Sequence, residues 1–436
     1  MKHLSIKLIA ETPLAIRSDH APGGVETATF ITGTTLLGSL ANVHRLLYSE
    51  KTEEFEALFL SGQVHYPDLY PAAFPDQKMQ ESRLPVYPLP KTAQSCKRFS
   101  GFRYIFPGER KQEKQRHGVR DSLIDWALFN LLHKNEVSDN KIHEDEVEDK
   151  RSIAALQVLR QHKLCPVCGA AMDHFAGYYR RETSDPFNMI SAHIEEHTRV
   201  QTHTGINRRT GTVEESILYS RQVFEENMQF WGTLMLPDEL ASTFTEFIEQ
   251  ANAERLIRVG TGRTRGLGTV DLSLGLVDPD EQDRLSAFTE RVERFNQKLY
   301  DRARVFGLND FTALYFALTI HSPLILCDPL LRYRGTVNEE TLSELTDLPA
   351  STFHRIYQSA SIRRVMGWSD LWGTPKTNEF AIETGSVFLF SCPSDAKDAV
   401  LRSLFTLEER GVGKRRNEGF GRICVSDTFH QEGDLR

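Results

Sequence analysis

The sequence predicts an α+β protein of two tandem ferredoxin-like (RRM-like) domains, the first interrupted by a large insertion. Three observations lead there. A β-like run followed by Thr/Ser-Pro-Leu occurs twice, at Ser5 to Ile16 and at Tyr315 to Leu326. A Gly/Arg-rich stretch also occurs twice, Gly260 to Gly268 and Gly411 to Gly421, each after a helix candidate (Glu239 to Ala251; Asp395 to Glu409) and before a β-like segment (Thr269 to Leu274; Arg422 to Val425). Between the copies, Leu285, Phe288, Val292, Phe295 and Leu299 step by 3, 4, 3 and 4, the spacing of an amphipathic helix. One order of elements appearing twice in one chain reads as a duplication.

Taken in order, the first β-like run ends at Pro13 and its counterpart at Pro323, because a residue without an N–H cannot continue a central strand. Leu36, Leu37, Leu40, Val43, Leu46 and Leu47 then have helical spacing, with Thr34 or Thr35 able to cap the first turn. A strand–helix–strand–strand–helix–strand unit needs only about 80 to 100 residues. The first half is much longer, so residues 1–280 are read as domain 1 with an insertion at about 60–200. Residues 281–305 are read as a helical connector and 306–436 as domain 2. The insertion holds a basic stretch from Cys96 to Arg120, whose Lys97, Arg98, Arg103, Arg110, Lys111, Lys114, Arg116 and Arg120 are opposed only by Glu109 and Glu113. It also holds an acidic run from Glu136 to Asp149, which reads as a solvated linker.

Of 436 residues, 40% are hydrophobic and 26% charged, which excludes wholesale disorder. No apolar run approaches the roughly 20 residues that span a bilayer, and Lys2, Lys7 and Glu11 interrupt the start where a secretory signal needs a continuous apolar core. A cytoplasmic location is expected. The net charge, 52 − 60 = −8, argues against a uniformly basic nucleic-acid binder but leaves room for local basic patches. Six cysteines are too few for a disulfide framework at this length and are expected reduced. Cys165-Pro-Val-Cys168 places two thiolates on one turn at a spacing tetrahedral zinc accepts. Cys96 and His117, which flank the basic stretch, are the favoured remaining ligands, with His162 or His174 as replacements for the histidine. Cys327, Cys392 and Cys424 sit among apolar residues and read as core.

The Gly-rich loops lack the third glycine and the strand-to-helix context of a dinucleotide fingerprint, and the Lys-Ser/Thr ending of a P-loop. What remains is a turn whose N–H groups can approach phosphates, with arginines that fork onto their oxygens. Gly260, Gly262, Arg263, Arg265, Gly266 and Gly268 form the first such candidate. Gly411, Gly413, Lys414, Arg416, Gly419 and Gly421 form the second. One loop alone reads more simply as a tight turn; two at equivalent places favour binding. His203 to Tyr219, with Asn207, Arg208 and Arg209, has the make-up of a β-hairpin that could clamp an unpaired base. For catalysis, only His44 with Tyr48 one turn later offers a partial acid–base pair.

These features resemble the RAMP superfamily of CRISPR-associated proteins: Thr12-Pro13-Leu14 after the first strand, Thr34-Thr-Leu-Leu-Gly38-Ser-Leu-Ala41 opening the first helix, and the two Gly/Arg loops. Leu37 departs from the Arg or Lys that relatives often carry before the glycine. The tandem domains, the His203 to Tyr219 segment and the cysteine-bearing insertion are most similar to the handle-binding RAMP subunit of type III effector complexes, particularly subtype III-D. The resemblance implies a non-catalytic subunit in antiviral interference. It would grip the repeat-derived 5′ handle of the guide RNA and cap the backbone filament of RAMP subunits beside the large polymerase-like subunit, meeting target RNA indirectly. The competing expectations are a metal-independent RAMP endoribonuclease using His44, and a scaffold whose Gly loops are only turns.

Overall fold

The computed structural model describes residues 1–17, 26–73, 86–102, 116–134, 153–158, 160, 163–181, 189–191, 197–206, 209, 213–276, 281–308, 313–369 and 373–431. Strand β1 (Lys2–Ala10) alternates, with Leu4, Ile6, Leu8 and Ala10 buried and Ser5, Lys7 and Ile9 half-buried, so one face meets a core. Helix α1 (Gly33–Leu47) follows. Its N-cap is Thr32, whose extended backbone (φ −70°, ψ 146°) lets the side chain accept from the Thr35 N–H, so Thr34 and Thr35 lie inside the first turn instead of capping it. Strand β2 (Tyr70–Ala73) comes next and lies within the span read from sequence as insertion.

The following segment carries β3 (Ala93–Cys96), β4 (Val119–Asp121), helix α2 (Leu123–Lys134) and β5 (Met172–His174), with β3 paired to both other strands. A long hairpin, β6 (Thr198–Ile206) and β7 (Val213–Phe224), leads back to the first sheet. There β8 (Gln229–Leu236), helix α3 (Ala241–Ala253) and β9 (Val270–Leu276) complete an antiparallel order β9-β1-β8-β2. Helix α4 (Glu281–Val305) then precedes β10 (Ala313–Ile320), helix α5 (Glu339–Thr346), β11 (His354–Ser359), β12 (Val387–Pro393), helix α6 (Lys397–Arg410) and β13 (Ile423–Val425). Their sheet runs β11-β12-β10-β13, also antiparallel. Numbered within each unit, both sheets have the order 4-1-3-2, and both have helices after strands one and three.

The second sheet is covered on both faces, which explains why β10 is one continuous apolar run where β1 alternates. Leu314, Phe316, Leu318 and Ile320 meet Leu342 of α5 and Val400, Leu401 and Leu404 of α6. On the other face Tyr315 and Ala317 meet Phe295, Leu299 and Ala303 of α4 together with Leu123, Ile124, Ala127 and Leu128 of α2. Helix α4 is therefore part of the second unit's packing as well as a connector. Its Asn296 amide accepts from the Tyr315 N–H at 2.8 Å and donates to the Tyr315 carbonyl at 2.7 Å, satisfying strand-edge groups that β13, paired only at Leu318–Ile320, does not reach.

Polar contacts complete the docking of the intervening segment. Asp121 Oδ2 lies 2.9 Å from His430 Nδ1, whose Nε2 lies 2.7 Å from Thr319 Oγ1, all three residues being buried. Burial pushes the His430 pKa down, but Asp121 more than offsets it and leaves it raised. Tyr179 donates to Asp427, which also holds His321 at 2.6 Å. Of the cysteines expected in the core, Cys392 is buried, while Cys327 and Cys424 are half-buried.

Candidate nucleic-acid interface

The two Gly/Arg loops superpose in topology residue for residue, with Gly260 matching Gly413 and Gly268 matching Gly421. In the first, the Thr261 N–H donates to Ala15 O (2.8 Å), Gly268 N–H to Pro13 O (3.0 Å) and Val259 N–H to Gly268 O (2.8 Å). In the second, Lys414 N–H donates to Ile325 O (3.0 Å), Gly421 N–H to Pro323 O (3.0 Å) and Val412 N–H to Gly421 O (2.8 Å). The Thr/Ser-Pro-Leu motif and the Gly loop are thus two sides of one hydrogen-bonded unit. Each loop carries one 3-10 turn, Arg263–Arg265 or Arg416–Glu418, between left-handed residues: Gly262 and Gly266 in one, Arg415 and Gly419 in the other. In this frame Gly411 is not a loop position. It is the C-cap of α6.

Between the halves lies a cleft of about 1120 Å³. Loop one enters it with Gly260, Thr261 and Arg263; loop two with Arg415, Asn417, Glu418, Gly419 and Phe420. The face of α1 carrying Thr34, Leu37, Gly38, Ala41, Asn42 and Arg45 forms its floor. Seven cations line it (Arg17, Arg45, Arg258, Arg263, Arg363, Lys376, Arg415) against two carboxylates, Asp68 and Glu418. On a chain of net charge −8 this is a local reversal of sign, the condition for drawing in a polyanion. Of these seven cations only Arg263 is singled out by the sequence; Arg17, Arg45, Arg258, Arg363, Lys376 and Arg415 are brought to the cleft by the fold.

The cations differ in how they are held. Arg415 donates to Glu379 (2.6 Å) and to both oxygens of Glu418, and Lys376 to Glu418 (3.2 Å). Burial pushes the Glu418 carboxyl up, and Arg415 with Lys376 pulls it down further, so it stays ionised. Loop two also packs on the first unit, Tyr66 N–H donating to Asn417 O at 3.2 Å and Gly419 sitting against Gly33. Loop one faces outward: Arg265 is exposed and donates to the Tyr219 hydroxyl, and the Tyr219 ring stacks on His203 with centroids 5.2 Å apart. Gly262, Gly266 and Gly268 shape this turn behind the cleft, and Arg258 Nη1 ties it by donating to Arg263 O at 2.9 Å. Lys414 and Arg416 of loop two are exposed and lie outside the cleft lining. Arg209 is exposed near the hairpin tip; Asn207 and Arg208 lie outside the described residues.

His44 is fully buried, its Nε2 2.9 Å from Glu54 Oε1 and its ring packed against Tyr48, Phe55, Phe59 and Phe247. Tyr48 donates to Gln250 Oε1. Neither reaches the cleft.

Cys96, His117, Cys165 and Cys168 are brought together with their ligand atoms all within 4.8 Å of one another, a group that could hold a metal ion. Cys96 Sγ and Cys168 Sγ are 3.6 Å apart, and Cys165 Sγ and His117 Nδ1 3.4 Å. A tetrahedral ion at about 2.3 Å from sulfur and about 2.0 Å from nitrogen requires edges of about 3.5 to 3.8 Å, so the donor set fits. Burial pushes the Cys165 thiol up, but N–H groups of Cys168 and Val167 leave it lowered, as a knuckle turn does. His174 is on β5 but outside the group, and His162 lies outside the described residues. A second group, His321, Cys424 and Asp427, also comes together among the described residues, there with His321 directly hydrogen-bonded to Asp427.

No helix among the described residues is long and apolar enough to cross a membrane. No curated protein matches the chain. Among solved structures, a chain of the type III-B Cmr-beta complex bound to cognate target RNA and AMPPnP is similar at 12% identity over 93% of both chains, with a TM-score of 0.37. Oligomeric Cmr4 from Pyrococcus furiosus is similar at 14% identity, covering 64% of this chain and all of its own, with a TM-score of 0.27. The RAMP superfamily profile matches residues 7–271, from β1 through the first Gly loop and into β9, and the chain belongs to that superfamily.

Proposed function

We propose that the chain is a non-catalytic RNA-binding subunit of a type III CRISPR effector complex, of subtype III-D, that holds the 5′ repeat-derived handle of the guide RNA. It would cap the backbone filament of RAMP subunits beside the large polymerase-like subunit. In this reading the two sheets are tandem ferredoxin-like domains and the insertion is stapled by one structural zinc. The observation that carries the RNA reading is the cleft in which cations outnumber carboxylates on an otherwise acidic chain. Arg17, Arg45, Arg258 and Arg263 would contact phosphates there, with Arg265, Lys414 and Arg416 as outer contacts, while Asn207, Arg208 and Arg209 would touch handle bases. Support for a non-catalytic role comes from His44, which burial and Glu54 withhold from any ribose hydroxyl.

The test is binding of handle and scrambled RNA across a salt series. Arg258→Ala with Arg263→Ala should weaken both RNAs and flatten the log–log salt slope by about 0.7 per lost contact. Arg208→Ala with Arg209→Ala should weaken handle RNA more than scrambled RNA. If neither pair alters binding, the loops are turns and the scaffold reading stands. Zinc is tested apart from RNA: metal analysis should give about one Zn per chain, lost in Cys165→Ser. Metal-free protein with an unaltered fold would remove the zinc from this reading.

A further inference from the structure

In the shared nine-residue frame of the two loops one position has changed sign: Arg265 of loop one stands where Glu418 stands in loop two. Arg265 is exposed. Glu418 has four donors on its two oxygens: Arg415 Nε at 3.1 Å and Nη2 at 2.7 Å, Lys376 Nζ at 3.2 Å and Thr34 Oγ1 at 3.1 Å. They come from three separate segments, and Thr34 belongs to the first turn of α1, where the helix dipole favours negative charge. A guanidinium fork, an ammonium and a hydroxyl converging on one anion form the donor set that proteins use for a phosphodiester. Arg415 and Lys376 are balanced by Glu379 and Glu418, two cations against two carboxylates. Removing the charge of Glu418 leaves one cation over, the complement of one phosphodiester.

We propose that Glu418 is a resident substitute for a phosphate: it fills an anion position in the cleft with the chain's own carboxylate and so keeps an RNA phosphate out of the position between Arg415, Lys376 and Thr34. The inference rests on the reading of the cleft as an RNA groove. It explains why the duplicated loops differ at this position, loop one presenting Arg265 outward and loop two locking the two units together through Arg415, Glu418 and the Asn417 carbonyl.

The experiment uses the full chain with single-stranded RNA between 50 and 200 mM salt, values in the range where phosphate contacts dominate, roughly as for other basic grooves. Glu418→Gln should bind RNA about fivefold more tightly at the low end, with a slope steeper by about 0.7, one added phosphate contact. Inorganic phosphate should raise the melting temperature of Glu418→Gln and leave that of the unaltered protein where it is. Lys376→Ala combined with Glu418→Gln should cancel most of the gain that Glu418→Gln alone produces. Unchanged or weaker RNA binding by a folded Glu418→Gln protein, or no response to phosphate, overturns the proposal. Should Glu418→Gln not fold, Glu418→Ser, which opens the same position with a smaller uncharged side chain, decides: a melting temperature raised by inorganic phosphate upholds the proposal and an unaltered one overturns it. Failure of the RNA reading shows separately, as an absence of effect from Arg258→Ala with Arg263→Ala, while the phosphate arm needs no RNA.

Discussion

Four aromatic rings lie 5.1 to 5.8 Å from the His44 imidazole, and its one polar tie among the described residues is to Glu54. Such a side chain acts as core. His44→Ala should cost about 2 to 4 kcal/mol in urea unfolding, the range for emptying a packed aromatic-sized site, and leave any hydrolysis of repeat RNA where it was. Cleavage that vanishes with His44→Ala in a protein of undiminished stability would instead make His44 an acid or base. Individual residues were unevenly legible. The Cys165/Cys168 spacing pointed to two further donors, and counting the remaining cysteines of the insertion found Cys96. The pairing of the loops was harder to see, because Arg415 adopts the left-handed conformation (φ 58°) that glycine supplies at Gly262, and because the helix-capping Gly411 imitates a loop glycine. A glycine count therefore aligned Gly411 with Gly260, two residues away from the hydrogen-bonded frame.

At the scale of elements, the Gly loops are rigid where they meet the Pro-Leu segments and open where they turn. Gly421 has φ +74°, and a Cβ there would run into the Val412 carbonyl; Gly266 has φ +80° with nothing within 4 Å of an added Cβ. Gly421→Ala should thus cost about 3 kcal/mol or more, strain and clash together, and Gly266→Ala only about 1 kcal/mol of backbone strain. Urea unfolding of the two variants measures the difference, and equal losses would mean that the close approach to Val412 relaxes freely. The elements flanking these loops were readable from sequence, since α3 and α6 carry strong apolar stripes and β1 alternates cleanly. Strand β2 was not. Four residues containing Pro71 make a poor strand signal, and the strand survives only as an edge with a register shift against β8. Nor did periodicity reveal that α2, though it lies within the insertion, covers the second sheet; helix spacing tells that a face is apolar and not what it meets.

The whole molecule is joined across its two units by the half-buried Arg422, which donates to Thr233 O (3.3 Å) and lies 2.8 Å from Met235 Sδ in β8. Beside it His65 is driven down to about 4 by burial and by the Arg422 and Arg416 charges. The unfolded chain takes up a proton near the ordinary value of 6.5 that the folded chain refuses until about 4. Stability from this site is therefore complete above 6.5 and drains as the pH falls through that window. His65→Gln should flatten the decline in urea midpoint between pH 6.5 and 4.5; an unaltered decline would assign the acid sensitivity elsewhere. The contact between Asp121 and His430 has a further consequence, for the timing of folding during synthesis. Its partners are 309 residues apart in sequence, and α2 likewise waits for β10 and β12. At about 5 to 20 residues per second, a ribosome needs roughly 15 to 60 s to deliver His430 after Asp121. Until β10 and β12 emerge, the apolar face of α2 has no sheet to cover, whereas the four donors of the Cys/His group are complete by Cys168. The Cys/His group is thus complete long before the sheet that α2 covers, and chain termination ahead of β10 should leave α2 with its apolar face exposed, a ready target for chaperones.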